Sequence, residues 1–531
     1  MKKNIFQSTA ILALAAIAFA GCDDFLDKVP DNRAELDSEK KIKGLLVSAY
    51  PTKEFITLNE LMSDNVNDMG ENNPYTERYL DQVASWTDVT ETDNSDPEEL
   101  WINCNECVET ANTVLEAIDK LGKNEEWSAS RGEALLCRAF ANFILVNCFA
   151  QHYSADDNTS LGITIITEPE TTLNPKYERQ TVKECYAAIQ ADLEEGLPLI
   201  KDNYEVPKYH FNKAAAWAFA TRFYLFSEQW NKAIESANKV LGTNPRSLLR
   251  DNVAMTKLPD DESILSRHYA SSDEPANLML QTCTSSCAMI FGPIRYGKRY
   301  AHDSYLGRKE TVEALAALWG GKYNSYYYSV GIYNATNVSL WSKNNLPNLF
   351  EYTDPVAGIG YRHSVYCPIT SDEVLLSRAE ANILLGNFDK AASDMTLWMQ
   401  NVAMTNLTLT PAKIVSFING IDYSYDTEKK DSLGMESTLK KHLHPKFHID
   451  EEGSTQECML QLVLAMRRYE TLNEGKRWFD IKRYGIVIPR RTMDAADMPA
   501  KVTDWLTVDD PRRAMQIPLS IRMAGYTPNP R

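Results

Sequence analysis

Helical periodicity that recurs in pairs is the feature that most restricts the fold of this chain. In 375–398, LLSRAEANILLGNFDKAASDMTLW, two helical stripes meet at a turn that contains Gly386, Phe388 and Ala391. A small alanine on the second helix allows the aromatic ring of the turn to dock against the first helix. Because one such pair cannot bury both of its faces, the pattern predicts several pairs stacked into an array.

The segment 217–245 carries the same pattern, with the spacing of a tetratricopeptide unit, a helix pair of about 34 residues closed by proline. The matching positions are Trp217, Ala220, Tyr224, Trp230, Ala233, Val240 and Pro245. Further helices are predicted over 97–122, 128–150, 180–195, 212–228 and 230–242. The fold class is therefore predicted to be mainly α, with stacked tetratricopeptide-like helix pairs.

A change of composition divides this helical frame. The array is predicted over roughly 37–242 and 371–485, and the segment between them, roughly 243–365, is rich in Tyr, Asn, Gly and Ser. Long irregular segments in a compact protein usually carry function. We interpret 243–365 as a loop-rich, ligand-binding lobe inserted into the helical frame.

The first 21 residues have the pattern of an export signal. Lys2 and Lys3 give a positive start, the run from Ala10 to Gly21 is uncharged and apolar, and Cys22 follows directly. A lipoprotein signal is cut before such a cysteine, whose thiol is acylated, and two or three acyl chains at about 0.8 kcal/mol per buried CH₂ form a stable anchor. The sequence predicts a lipoprotein signal peptide over 1–21 and a lipidated Cys22. A plain signal peptide with an accidental cysteine is the alternative.

The composition is that of a packed globular protein, with 44% hydrophobic and 24% charged residues. The formal charge of -18 becomes -20 once a signal carrying Lys2 and Lys3 is removed, so phosphate backbones are repelled and nucleic-acid binding is not expected. Of the ten cysteines, nine remain when Cys22 is set aside. Cys283 and Cys287, in the loop-like TCTSSCA, are the best disulfide candidates.

No known catalytic motif stands out in the sequence. The run HLHPKFH holds three histidines around a proline, and a surface loop is favoured there over a metal site. The segment RRYETLNEGKRWFDIKRYG (467–485) concentrates charges and aromatics, which favours a charge-locked corner against the helix array over a binding site. We therefore expect a protein that is not an enzyme, with no catalytic residues, no metal site and no cofactor; a structural calcium is left open.

Five segments resemble, in the same order, segments of the SusD/RagB family of surface lipoproteins. They are CDDFLDKVP, RGEALLCRAFANFILVNCF, TSDEVLLSRAEANILLGNFDKA, NEGKRWFDIKRYG and the ending with IPLS and PNPR. The resemblance covers essentially all of the mature chain, 22–531. Two departures are KYNSYYYS in place of the usual Asp-Pro-Arg after 310–319, and YETLNEG in place of Arg-Glu-Leu-Ala-Phe-Glu-Gly. The first departure indicates a remodelled ligand face.

The resemblance implies an all-α, tetratricopeptide-like frame covered by a loop-rich lobe. It also implies a cell-surface lipoprotein of nutrient uptake that captures oligosaccharides or polysaccharides for a SusC-like TonB-dependent outer-membrane transporter. Asp23 and Asp24 are similar to the surface-export signal that follows the lipidated cysteine in such proteins. Because some relatives take peptides, a peptide-binding member of the family is the alternative, and a secreted glycosidase is a third hypothesis.

Aromatic side chains outside the helical patterns are the candidate ligand-binding residues, because sugars place their CH faces against aromatic rings. Trp86, in a polar loop, and Trp341, at the end of the tyrosine-rich segment, are the first candidates. Tyr75, Tyr296 and Tyr300 follow. With Trp86 and Trp341 outside the helical core, we expect their truncation to weaken glycan binding and to leave stability almost unchanged.

Overall fold

The computed structural model describes residues 36–122, 125–172, 175–292, 299–335, 338–424 and 436–531. The predicted signal peptide, Cys22 and Tyr296 lie outside these ranges. Helices dominate the described chain: α1 Glu39–Leu46, α2 Ile56–Met62, α3 Arg78–Ala84, α4 Pro97–Lys120, α5 Ser128–Phe149, α6 Val182–Gly196, α7 Lys213–Phe226, α8 Trp230–Leu241, α9 Asn252–Met255, α10 Glu262–Tyr269, α11 Cys287–Phe291, α12 Ser304–Lys309, α13 Val312–Ala316, α14 Ser371–Leu384, α15 Phe388–Val402, α16 Pro411–Asn419, α17 Thr455–Glu470, α18 Arg477–Arg483 and α19 Leu519–Met523. The predicted mainly α fold class is confirmed.

Two long helices form the centre of the N-terminal half. α4 begins where the Asp96 side chain accepts a hydrogen bond from the Glu99 amide, with Pro97 in the first helical position, as expected of a helix start. α5 is buried along almost its whole length. The stretch Glu125–Phe149 is long and apolar enough to cross a membrane, but its apolar window is entirely buried inside the protein, so it is an interior helix, as predicted.

The predicted helix pairs are present as α7 with α8 and α14 with α15. In the second pair, Gly386 adopts a φ of +74°, the left-handed conformation that allows the chain to turn between the helices. Ala391 is fully buried on α15, and the Phe388 ring packs against the core from a partly buried position. The turn therefore works as its sequence pattern predicts.

Three small sheets lie among the helices of the described residues. Their strands are β1 Asn67–Asp68, β2 Asn277–Cys283, β3 Tyr300–Ala301, β4 Gly331–Ala335, β5 Val338–Ser342, β6 Leu349–Asp354, β7 Ile359–Thr370, β8 Ile488–Met493 and β9 Pro499–Leu506. The strand orders are β3-β1-β8-β9, β2-β7-β6 and β4-β5. In its described part, the segment 243–365 holds α9 to α13, β2 to β6 and much of β7, so it is more regular than expected, because short strands and helices give weak periodicity.

The nine cysteines of the described chain are free and buried; Cys283 and Cys287 thus form no disulfide, and that prediction is wrong.

The corner at 467–485 is buried and locked by charges, as predicted, but some of its charged partners are distant in sequence. Arg483 pairs with Asp480 at 3.2 Å, whereas Arg477 pairs with Asp64 at 2.9 Å.

The histidines of HLHPKFH are spread over a surface segment. His442 lies 2.6 Å from a Glu452 oxygen, and the His448 side chain is almost fully exposed. Within the described ranges, no group of three or more His, Cys, Asp or Glu side chains could hold a metal ion.

Candidate functional site

An open groove runs along the four-stranded sheet β3-β1-β8-β9. This sheet joins chain segments near 68, 300, 490 and 503, so the groove is assembled from residues far apart in sequence. Its volume is about 640 Å³. The lining residues are Asp68, Gly70, Glu71, Asn72, Pro74, Arg299, Thr492, Met493, Asp494, Ala495, Lys501 and Thr503.

Arg299 is the centre of this groove. Its guanidinium binds Asp68 through two bonds, Nε to Oδ1 at 2.6 Å and Nη2 to Oδ2 at 2.8 Å. These hydrogen bonds to Asp68 hold the pKa of Arg299 above its usual value. The guanidinium carbon also lies 5.5 Å from the centroid of the Tyr300 ring, and the Arg299 amide donates to the Tyr75 carbonyl at 2.9 Å. Arg299 therefore contacts two of the predicted ligand-binding tyrosines, Tyr75 through the backbone and Tyr300 through its guanidinium group.

The loop from Gly70 to Pro74 forms one wall of the groove, and Tyr75 follows it directly in the chain. Gly70 has a φ of +54°, and its amide donates to Asp68 Oδ1 at 2.8 Å. The Asn72 side-chain amide donates a hydrogen bond to the Met493 carbonyl at 3.2 Å, which holds the loop against β8. Tyr75 is 58% exposed, so solvent reaches much of its side chain.

The opposite wall comes from β8, β9 and the turn between them. Asp494, Lys501 and Thr503 are exposed there, facing the loop that carries exposed Glu71. The carboxylate, ammonium and hydroxyl groups of the groove offer donors and acceptors for sugar hydroxyls, and exposed Tyr75, next to the lining residue Pro74, offers a ring for a CH face. The groove is therefore suited to binding a polyhydroxylated ligand.

The predicted tyrosines differ in how far they can reach a ligand. Tyr75 is exposed, whereas Tyr300 is only 5% exposed and the Arg299 guanidinium lies over its ring. Tyr296 lies outside the described residues. The ligand-binding role of each tyrosine stays a prediction.

Trp86 lies in the polar turn after α3, as predicted, but its side chain is buried, so the expectation that it lies outside the core is wrong. It is 3% exposed, its indole N–H donates to the Met62 carbonyl at 2.8 Å, and the Arg490 guanidinium lies 4.6 Å from its ring centroid. The residue has a φ of +55°, which directs its side chain inward although it follows the end of α3. Trp86 also lines a separate cleft of about 330 Å³, together with Arg512 and the C-terminal residues near α19.

Trp341 is buried as well. It lies on β5, is 3% exposed, and its ring packs so closely on Gly307 that a Cβ there would come within 2.4 Å. Both tryptophans belong to the main core cluster. The expectation that their truncation would leave stability unchanged is therefore wrong, because removing a buried aromatic ring opens a cavity.

Reasoning from the sequence missed the polar residues of the groove, among them Asp68, Arg299 and Lys501. Arg299 stands beside Tyr300 in GKRYAHD, which is a local signal for a charged and aromatic ligand face. Its partner Asp68 is 231 residues away, so their pairing has no local signature.

Two protein-family models match the chain, one before and one after the segment 243–365. A family model described as "Starch-binding associating with outer membrane" matches residues 24–225, and the model of the SusD family matches residues 371–516. The chain belongs to the SusD/RagB family. Proteins of this family take part in carbohydrate binding and nutrient uptake, are associated with the outer membrane or cell surface, and act as binding proteins rather than enzymes.

Individual relatives of this SusD-family protein are distant in sequence but similar over nearly their whole length. It is 23% identical to SusD-like protein P2 of Formosa agariphila, over 91% of each chain. A crystal structure of a putative sugar binding protein from Bacteroides vulgatus has a TM-score of 0.63 at 18% identity, covering 94% of this chain and 99% of the other. A SusD superfamily protein from Bacteroides thetaiotaomicron has a TM-score of 0.61 at 17% identity, covering 92% and 98%. At such identities the structural likeness shows the shared fold.

Proposed function

We propose that this SusD-family protein is a lipid-anchored, cell-surface protein that captures oligosaccharides and passes them to a SusC-like TonB-dependent outer-membrane transporter. Family membership, supported by matches in both halves of the chain, carries this proposal. The groove around Arg299, with exposed Tyr75 beside its Gly70–Pro74 wall, is the place where the glycan would bind.

The geometry of the groove favours binding over chemistry. Asp68 is already engaged, since it accepts two bonds from Arg299 and one from the Gly70 amide. Its carboxylate therefore positions the guanidinium rather than serving as a free acid or base. The exposed groups around it can instead exchange hydrogen bonds with water for hydrogen bonds with sugar hydroxyls.

Replacing Tyr75 by Ala is expected to weaken glycan binding about tenfold, on the order of 1.4 kcal/mol, because a sugar ring would lose its stacking partner. Stability should stay within about 0.5 kcal/mol of the wild type, because Tyr75 is 58% exposed. Calorimetric titration with a panel of oligosaccharides, combined with thermal melts, measures both effects.

Tyr352→Ala is the matched control, because Tyr352 is also 58% exposed but lies on β6, outside the groove. Equal losses of affinity in the two variants would argue against the groove. A panel in which peptides bind and glycans do not would instead support a peptide-binding member of the family.

Purification in mild detergent is expected to recover the protein together with a large β-barrel partner. The family's general association with a SusC-type partner motivates this expectation, and a lipid anchor would hold the protein on the same membrane. Mass spectrometry of the purified material identifies it, with a sample washed at high detergent as the control. Repeated recovery of this chain alone would contradict the transporter complex while leaving glycan binding to be measured separately.

A further inference from the structure

A second pocket lies on the N-terminal half of α4 and shares no lining residue with the groove. It has a volume of about 630 Å³, within the roughly 300–1,000 Å³ typical of small-molecule sites. Its walls come from α4, from the loop between α5 and α6, and from the C-terminal segment after α19. Three aromatic residues line it: Trp101, Tyr177 and Tyr526.

The aromatic floor of this pocket is rigid. The Trp101 ring meets Phe149 and Tyr526 edge to face, at centroid distances of 5.0 and 5.4 Å. The Tyr526 hydroxyl accepts a hydrogen bond from the Thr164 amide at 2.9 Å, which fixes the C-terminal segment to the loop. A binding surface held in this way loses little conformational entropy when a ligand arrives.

Unused polar groups converge on the same floor. The Trp101 indole N–H has no hydrogen-bond partner among the described residues, although the ring is only 7% exposed. Asn105 donates to the Trp101 carbonyl at 2.8 Å, which leaves its own side-chain oxygen free to accept. Glu178 and Lys176 add an exposed acceptor and an exposed donor at the rim.

We propose that this pocket is a second glycan-binding site, which takes an uncharged sugar unit; the choice of ligand class rests on the proposed function. Three carboxylates and one ammonium group line the pocket, those of Glu109, Glu170, Glu178 and Lys176, so an acidic sugar would be repelled. Peptides that bind by strand addition need an open sheet edge, and none of the described lining residues lies in a strand. Two sites on one molecule would increase avidity for a polymer.

Fluorine NMR of the protein labelled with 5-fluorotryptophan tests this assignment, with Trp101→Phe to identify the Trp101 resonance. The probes are neutral malto-, cello-, xylo- and manno-oligosaccharides. For at least one of them, the Trp101 resonance should shift both in the wild type and in Tyr75→Ala. Tyr177→Ala should weaken the binding reported by Trp101 about tenfold. Tyr153→Ala, which removes a similarly half-buried tyrosine outside the pocket, should not.

The outcomes separate this inference from the proposed function. If an oligosaccharide binds in calorimetry but leaves the Trp101 resonance unmoved, the second site is refuted and the proposed glycan-binding function stands. If no oligosaccharide binds anywhere, the proposed function and the second site both fail. If a mixture of short peptides moves the Trp101 resonance and no glycan does, the pocket is a peptide site and the glycan assignment is overturned.

Discussion

Replacing Glu310 by Gln is expected to destabilise the protein by about 3–5 kcal/mol, because it removes the negative charge that compensates a buried group of cations. The Glu310 carboxylate is completely buried and lies within 3.1 Å of nitrogen atoms of Lys441, Arg468 and Arg491. Burial raises the pKa of Glu310, but these three cations outweigh it and hold the pKa well below its usual value. Denaturant unfolding of wild type and variant measures the change.

The stability lost in Glu310→Gln should depend on pH in a defined direction. Because the folded-state pKa is depressed, the ionised carboxylate stabilises the protein above the unfolded pKa of about 4.3, and this stability is lost as pH falls towards the folded pKa. The difference between wild type and variant should therefore be largest near neutral pH and shrink in acid. Glu351→Gln is the control, since Glu351 is exposed on β6. Equal unfolding midpoints for the two variants would show that the buried cations need no counter-charge.

Replacing Cys22 by Ser is expected to abolish membrane association, because serine offers no thiol for acylation. Two or three acyl chains give stable membrane anchoring, and the substitution removes the thiol that starts their attachment. Fractionation of cells into soluble and outer-membrane material measures the loss. Mass spectrometry of the wild type should show a mature chain that starts at an acylated Cys22.

Phe19→Leu is the matched control for this experiment. It changes the same signal three residues before Cys22, towards the residue that lipoprotein signals usually prefer, so the variant should stay on the membrane. Recovery of the Cys22→Ser protein with outer membranes, at wild-type levels, would refute the lipid anchor and favour attachment through a partner protein.

The helices could be predicted because each carries its own local signals. α5 reads as apolar on most faces and is buried accordingly, and the turn at Gly386 appears where Gly, Phe and Ala are spaced for it. The strands could not be predicted in the same way. β1 and β3 have two residues each, and their pairing depends on partners more than 200 residues away.

The candidate site shows the same limit more sharply. A tryptophan between polar residues is expected to be exposed. Trp86 is buried instead; it has a positive φ, and the Arg490 guanidinium lies over its ring. Tyr75 and Tyr300 were recognised as loop aromatics, but nothing local shows that Arg299 connects them or that Asp68 holds Arg299.

The sequence by itself determined the mainly α fold class, the helix pairs and the family, because periodicity, turn residues and ordered motifs are properties of short segments. Only the tertiary structure decided which aromatics are exposed, which charges are buried together and where the groove and the second pocket lie. The physical reason is that burial and pairing depend on contacts between distant segments. Those contacts exist only in the folded chain, where the four-stranded sheet holds the segments around residues 68, 299 and 490 side by side.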